Sequence, residues 1–201
     1  MTRLLLTILL VVLVPAALPA APVPPLEALE LLRKGFADMQ DFTAEISQEK
    51  QLAMMKRKLI SSGTVHFKKP DLFFMELKAP HASRMVLRDR SIDLYLPEGK
   101  SRQQIALPAD QGLKHWLALL SRPITALPQG IDFSADRAGD TQTLTIAPQS
   151  KGQVRSFTLT SGSDGRLRKL TIEERNGNRT AITFQKLRPN VGLSEKDFRI
   201  E

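Results

Sequence analysis

Two adjacent strands with matching apolar rows are the clearest feature of the hydrophobic and polar pattern. Residues 63–80 read GTVHFKKPDLFFMELKAP, with apolar positions alternating on both sides of Pro70. Because side chains alternate across a strand with a period of two residues, each strand presents an apolar row to one face. The rows consist of Val65 and Phe67 on the first strand and Phe73, Met75 and Leu77 on the second. They suit either a packed sheet core or the wall of an apolar cavity, with Lys69 at the end of one row.

Alternation of this kind recurs along most of the chain and predicts about eleven strands. Short turns separate them, and Asp164-Gly165 and Asn176-Gly177 are strong hairpin signals because these residues tolerate positive φ. The predicted strands span 42–49, 58–68, 72–78, 83–88, 91–96, 102–106, 131–137, 141–148, 154–160, 167–174 and 179–187. Consecutive strands joined by short turns pair in opposite directions, so an antiparallel meander is predicted.

Two stretches show helical periodicity instead. Apolar residues recur at helical spacing over 26–39, and again over 112–120, where Trp116 and Leu117 share one face. About eleven strands approach the limit of an open twisted sheet, so we expect the sheet to curl into a partial or full barrel. Two short helices cannot cover both of its faces. We therefore predict a mainly antiparallel β fold, a curved sheet with helices lying over its hollow.

The composition limits the possible partners. The chain has 201 residues, of which 42% are hydrophobic, and this suits one domain with a sizeable core. Its formal net charge of +8 favours anionic partners such as nucleic acid, lipid headgroups or acidic protein surfaces. The sequence contains no cysteine, which excludes disulfides, thiolate metal sites, a cysteine nucleophile and a lipid-modified cysteine.

The first residues predict export. Arg3 is followed by an almost unbroken apolar run over 4–14 and by small and helix-breaking residues over 15–21. This run is too short to span a bilayer comfortably and is typical of a signal peptide. We predict a signal peptide at residues 1–20, cleaved after Ala20, and a single domain over 21–201; an uncleaved membrane anchor is the alternative. Export to a periplasm-like compartment argues against nucleic acid as a partner.

No constellation of catalytic residues is recognisable in the sequence. The histidines, His66, His81 and His115, are scattered and form no zinc-type pair. Nucleophile-elbow, phosphate-loop and dinucleotide-binding motifs are missing as well. We therefore expect no enzymatic activity, no metal and no cofactor.

A loop with exposed methionines beside basic residues is a candidate protein contact. The segment contains Met54, Met55, Lys56, Arg57 and Lys58. Methionine side chains make adaptable contact surfaces, and the positive charge would favour an acidic partner. A solvated loop without a partner is an equally good interpretation of these residues.

The order of these segments resembles the periplasmic outer-membrane lipoprotein carrier proteins of the LolA family. Residues 42–48 are similar to the family's F-x-A-x-F-x-Q strand, and 63–80 to its segment containing K-R-P. Residues 157–165 and 190–198 resemble its F-x-[IL]…DG and N-x-G…F-x-F elements. The resemblance implies an unclosed antiparallel half-barrel of about eleven strands, with a helical lid over an apolar cavity.

The resemblance also implies a function. Such carriers take acylated lipoproteins from an inner-membrane transporter, shield the acyl chains and pass them to an outer-membrane receptor. In the family, the basic residue before the proline holds the lid closed; Lys69 stands at this position, in place of the family's arginine. The residues expected to line the cavity are Ile46, Val65, Phe67, Phe73, Met75, Leu77, Met85, Leu94, Trp116 and Leu117.

Two alternatives remain at this point. The carrier could serve another acyl lipid instead of lipoproteins. Alternatively, the chain could be a periplasmic sensor or interaction module with a filled core, in which the Met54–Lys58 loop binds an acidic protein. In each case we expect a monomer.

Overall fold

The computed structural model describes residues 20–55, 58–107, 122–149 and 152–200. In these residues one twelve-stranded sheet is accompanied by one α-helix and one short 3-10 helix. The α-helix, α1, spans Pro25–Ala37, and the 3-10 helix spans Glu195–Phe198. The strands are β1 (Ala21–Pro22), β2 (Asp41–Gln51), β3 (Lys58–Lys68), β4 (Leu72–Leu77), β5 (Ser83–Arg88), β6 (Ser91–Leu96), β7 (Ser101–Ala106), β8 (Ile131–Ala138), β9 (Thr141–Pro148), β10 (Val154–Gly162), β11 (Leu167–Glu174) and β12 (Arg179–Pro189).

All neighbouring strands of the sheet pair antiparallel. Their order is β1-β8-β9-β10-β11-β12-β2-β3-β4-β5-β6-β7, so two meanders meet where β12 pairs with β2. Within the described residues the terminal strands β1 and β7 do not pair with each other, and the curved sheet is therefore unclosed. The predicted fold class, a mainly antiparallel half-barrel with a helix over it, is confirmed.

The strand predictions agree closely with the structure. β3, β5, β6, β9 and β11 have the predicted bounds, and the ends of the other predicted strands differ by at most two residues each. The sequence did not predict β1, because two residues are too few to show alternation. The helix predicted over 26–39 begins at Pro25 and ends at Ala37; proline suits a first helical position because it has no N–H to leave unpaired.

Two other predictions concern residues outside the described ranges. They are the helix at 112–120 and, except for Ala20, the signal peptide at 1–20. No helix within the described ranges is long and apolar enough to cross a membrane.

Helix α1 divides the buried residues of one sheet face into two clusters, and we call this face the inner face. The first cluster joins Ala28, Leu29 and Leu32 of α1 to Ala135, Leu144 and Ile146 of the sheet. The second lies at the other end of the helix and contains Met39, Phe42, Ala44, Ile46, Val65, Phe67, Leu77 and Ile182. The helix therefore lies over the β8–β10 side of the inner face, and its Phe36 packs against the cluster on the middle strands.

The end of the chain covers part of the opposite face, which we call the outer face. Phe198 is fully buried there against Phe74 and Val86. Arg88 donates a hydrogen bond to the carbonyl oxygen of Phe198 at 3.1 Å and so fixes the end of the 3-10 helix.

The helix lies close to the β10–β11 turn because two glycines face each other. A Cβ atom at Gly35 would lie 2.2 Å from the carbonyl oxygen of Gly165. A Cβ atom at Gly165 would lie 2.1 Å from the carbonyl oxygen of Leu31, and Gly165 also has a φ of +74°. Both positions therefore need glycine for α1 to pack at this depth.

We predict that Gly35→Ala destabilises the protein although alanine is the better helix former. The backbone clash with Gly165 would have to lift the helix, and we expect a loss of about 2 kcal/mol in the free energy of unfolding, as for overpacked sites. Urea denaturation measures this change. Gly99→Ala is the matched control, because no heavy atom lies within 4 Å of its added Cβ. Equal stability of Gly35→Ala and the wild type would contradict the close packing of α1.

Candidate functional site

The first half of α1 is attached to the sheet by polar contacts. Gln142 is 2% exposed, and its Nε2 donates to the carbonyl oxygen of Ala28 at 3.0 Å. Arg137 bridges from the sheet to the helix, donating to the Gln142 side chain at 2.9 Å and to Glu27 at 3.0 Å. Because Gln142 is buried and fully partnered, it fixes the helix position on β9.

Glu30 on the same helix holds the segment that precedes β8. Its Oε2 accepts hydrogen bonds from Arg33 Nε at 2.8 Å and from the backbone N–H of Ile124 at 3.2 Å. The hydrogen bond from Arg33, followed by that from Ile124, lowers the pKa of Glu30. Ile124 itself packs against the cluster beneath the first half of the helix.

Lys69 caps the other end of α1. Its Nζ donates to the carbonyl oxygens of Phe36 at 3.0 Å and Ala37 at 3.2 Å. These carbonyls lie in the last turn of the helix, where a cation also interacts favourably with the helix dipole. Burial lowers the pKa of Lys69 below its usual value, and the carboxylate of Asp38 partly offsets this effect. Lys69 therefore contacts the helix that covers the inner face, although its role as a latch stays a prediction.

A buried carboxylate beside this helix end was missed at the sequence level. Asp41 Oδ1 accepts the backbone N–H groups of Val191 at 2.7 Å and Gly192 at 3.2 Å, and Oδ2 accepts that of Leu193 at 3.2 Å. Asp41 is 6% exposed. The turn-forming sequence N-x-G at 190–192 indicated a loop. Nothing in the sequence identified Asp41 as the acceptor of the backbone N–H groups of this loop.

The same loop is tied to the residues that follow α1. The side-chain oxygen of Asn190 accepts the N–H of Gln40 at 2.8 Å, and its Nδ2 donates to the carbonyl oxygen of Asp38 at 3.0 Å. Lys68 Nζ donates to the carbonyl oxygen of Leu193. Since Lys68 and Lys69 are consecutive, one holds the C-terminal loop while the other holds the helix.

The predicted cavity residues divide into two groups. Ile46, Val65, Phe67 and Leu77 are buried in the cluster at the C-terminal end of α1, and Phe73 and Met75 are partly buried against it. Met85 and Leu94 lie beyond the helix on the same inner face, as their pairing with Met75 and with each other requires. Trp116 and Leu117 lie outside the described residues. Ligand binding by these residues stays a prediction.

Beyond the helix, β5, β6 and β7 carry a continuous apolar surface that we call the inner strip. Strand pairing places its residues side by side on the inner face: Met85, Leu87, Ile92, Leu94, Leu96 and Ile105. All are partly or largely exposed, and none belongs to a buried cluster among the described residues. The alternation of β5–β7 could have identified all six, but only Met85 and Leu94 were predicted.

The predicted protein-contact loop is exposed where it is described. Met54 is 100% exposed and Met55 is 44% exposed. Lys58 lies at the start of β3 and forms an ion pair with Glu49 at 2.7 Å. Lys56 and Arg57 lie outside the described residues, and the proposed partner contact stays a prediction.

The described ranges contain no group of three or more histidine or acidic side chains that could hold a metal ion. The inner face instead carries an apolar surface. Next to this surface lies a helix whose end is held by polar contacts. Such a surface can bind an aliphatic ligand by burial, without directional contacts.

Comparison with known proteins gives one family. The sequence model described as outer membrane lipoprotein carrier protein LolA matches residues 37–201. An outer-membrane lipoprotein carrier protein from Chromohalobacter salexigens is 24% identical over 143 residues, covering 70% of this chain and 67% of that protein.

Some solved structures match the chain at low sequence identity. A DUF1329 family protein from Desulfovibrio piger is 14% identical, with a TM-score of 0.50 over 88% of this chain and 98% of that chain. A LolA superfamily protein from Nitrosomonas europaea is 13% identical, with a TM-score of 0.44 over 89% of this chain and 98% of that chain. At 14% identity, the similarity to the Desulfovibrio piger protein concerns the fold alone.

We predict that Asp41→Asn lowers the free energy of unfolding by about 2 kcal/mol, because an amide cannot accept all three N–H groups and places its own donors beside them. Chemical denaturation measures the loss. The control is Asp136→Asn, an exposed position on the outer face of β8. Similar stabilities of the two variants would show that the Asp41 contacts contribute little.

Proposed function

Because the chain belongs to the LolA family of outer membrane lipoprotein carrier proteins, we propose that it is a periplasmic carrier for acyl chains. In this proposal it receives lipoproteins, or a related acylated lipid, from an inner-membrane transporter. It shields their acyl chains on the inner face of the sheet and delivers them to an outer-membrane receptor.

The observation that carries the proposal is the inner strip. A soluble domain usually buries such a row, whereas here Met85, Leu87 and Leu94 remain partly exposed beyond the end of the packed core. The strip is continuous with that core, since Met85 pairs with Met75 of β4. An acyl chain lying along it would extend the core rather than form a separate one.

The chemistry of the strip suits aliphatic chains. Burial of acyl carbons contributes about 0.8 kcal/mol per CH₂ group, and this contribution needs no directional partner. Leucine, isoleucine and methionine provide such a surface, and the flexible methionine side chain adapts to different chain lengths. Selectivity among acyl chains would therefore be low on this surface, as a carrier of many lipoproteins requires.

Lys69 is the residue that we propose controls the helix over this face. Its two hydrogen bonds favour the observed position of α1, while burial of its charge opposes it. The net attachment is therefore modest, so that a bound acyl chain can compete with it. A bound acyl chain would then shift the equilibrium between two positions of the helix, and only by as much as its affinities for these two positions differ.

We predict that Met85→Glu weakens binding of a fluorescent fatty-acid probe by about tenfold or more, because the bound acyl chain would bury the carboxylate of the new glutamate. Fluorescence titration of the purified protein measures the affinity. Ile60→Glu is the matched control, since Ile60 is 62% exposed on the outer face and the substitution changes the charge equally.

Equal weakening by both substitutions would indicate a general effect of charge and would contradict the inner strip as the binding surface. Failure of the wild type to bind the probe would argue against a carrier and favour an interaction module without lipid transport.

We predict that Lys69→Leu still loads lipoprotein but transfers it poorly. Loss of the contacts to Phe36 and Ala37 would weaken the helix position that competes with bound acyl chains, so that release becomes unfavourable. Transfer from the loaded carrier to outer-membrane receptor in solution measures this step. Lys78→Leu is the control, because Lys78 is exposed directly after the end of β4. Normal loading and transfer by Lys69→Leu would remove the latch role from this residue.

A further inference from the structure

The two edges of the sheet differ in their capacity to pair with another strand. β1 has two residues, one of them Pro22, which lacks a backbone donor. β7 has six residues, pairs with β6 without a bulge and contains no proline. Among the described residues, no strand pairs with the edge of β7 that faces away from β6. Natural proteins usually shorten, bend or block such an edge, and only β1 shows these devices.

The backbone pattern of β7 identifies its free groups. The N–H of Leu107 donates to the carbonyl oxygen of Arg90 at 2.7 Å. In an antiparallel pair such bonds recur at every second residue, so Ser101, Gln103 and Ile105 face β6. Arg102, Gln104 and Ala106 therefore direct their backbone N–H and C=O groups away from the sheet. These three residues can bond a further strand without any change in β7.

A groove on the outer face adjoins this edge. It has a volume of about 650 Å³ and lies between β6, β7 and the end of the chain. Its charged and polar lining includes Arg88, Arg102, Arg199, Asp93, Tyr95 and Gln104. Three guanidinium groups thus face one carboxylate.

That carboxylate already has partners. Asp93 accepts a hydrogen bond from Gln104 at 3.0 Å and lies 3.8 Å from Arg88. Arg102 lies over the ring of Tyr95, 5.3 Å from its centroid, and this contact leaves the edge of the guanidinium available. Arg102 and Arg199 have no carboxylate partner among the described residues, so the groove has unbalanced positive charge beside an unpaired strand.

We propose that β7 and this groove dock an extended acidic segment of a partner protein by strand addition. The added strand would bond the backbone of Arg102, Gln104 and Ala106 and place its acidic side chains on the outer face, beside Arg102 and Arg199. Its alternate residues would lie on the inner face next to Ile105, which is 46% exposed, and an apolar residue fits there. The partner segment therefore alternates acidic and apolar residues.

The charge of the chain argues against a second copy as the occupant. Each copy carries a formal net charge of +8, and pairing of two β7 strands would bring their Arg102 side chains towards one another's positive groove. An acidic segment gains electrostatic attraction at the same place. The proposal does not rest on acyl binding: the added strand would touch the inner strip only next to Ile105, and its backbone and charge contacts lie at the edge of β7 and on the outer face.

A synthetic peptide of alternating glutamate and valine tests the proposal. We expect the wild type to bind it, with slower amide hydrogen exchange of Arg102, Gln104 and Ala106 by NMR. Arg102→Glu should weaken binding by about tenfold, and Ala106→Pro should do so similarly by removing an outward donor. Arg155→Glu is the control; this exposed residue lies on β10, far from β7 in the sheet, and should change affinity by less than about twofold.

The same experiment can overturn the proposal. A peptide N-methylated at every residue carries the same charge but has no backbone donor on either edge, and equal binding of it would show a charge effect without strand addition. No binding of the glutamate–valine peptide at about 1 mM, close to the weakest useful affinities, would also refute it. A dimer of the wild type in sedimentation that Ala106→Pro abolishes would assign the edge to a second copy instead.

Discussion

The carboxylate of Asp41 holds together the parts of the molecule that the sheet alone does not join. It is buried, and it accepts three backbone N–H groups from the loop that leads to the C-terminal 3-10 helix. Asp41 also begins β2, with three residues between it and the end of α1, so the start of the central strand and the end of the chain are fixed to each other. Charge-assisted bonds of this kind are stronger than neutral ones, and a buried donor without its acceptor costs more than the bond contributes. The loop, the helix end and the first long strand therefore form one unit.

The sequence predicted the strands well because each strand and turn has a local signal. Alternation and the turn residues at Asp164-Gly165 and Asn176-Gly177 depend only on neighbouring residues. The depth of burial was less predictable: Val65 and Phe67 belong to a packed core to which α1 contributes Phe36, and the depth of the helix depends on the contact between Gly35 and Gly165. The Asp41 contacts join residues about 150 positions apart in the sequence, and a single sequence contains no record of such a pairing.

The inner face combines a solid part and an open part. Beneath α1 the apolar residues form a close-packed core, which supplies stability, whereas the inner strip beyond it stays partly exposed. The two parts lie on different strands of the same sheet, with β4 at the boundary between them. Most of the apolar residues at 63–80 are therefore core, and the partly exposed apolar surface lies on the next strands of the meander. Under the proposed function, stability and acyl binding would depend on largely separate residues.

The consecutive lysines at the end of β3 also constrain how the sheet can assemble. Lys68 contacts the C-terminal loop and Lys69 contacts the helix, because successive side chains of an extended chain point in opposite directions. A slip of β3 by one residue against β2 would turn every apolar residue of the strand to the wrong face. It would also bring either Phe67 to the position of Lys68 or Pro70 to the position of Lys69. One of the two covering segments would then lack its donor, so the pair of lysines favours the observed strand alignment.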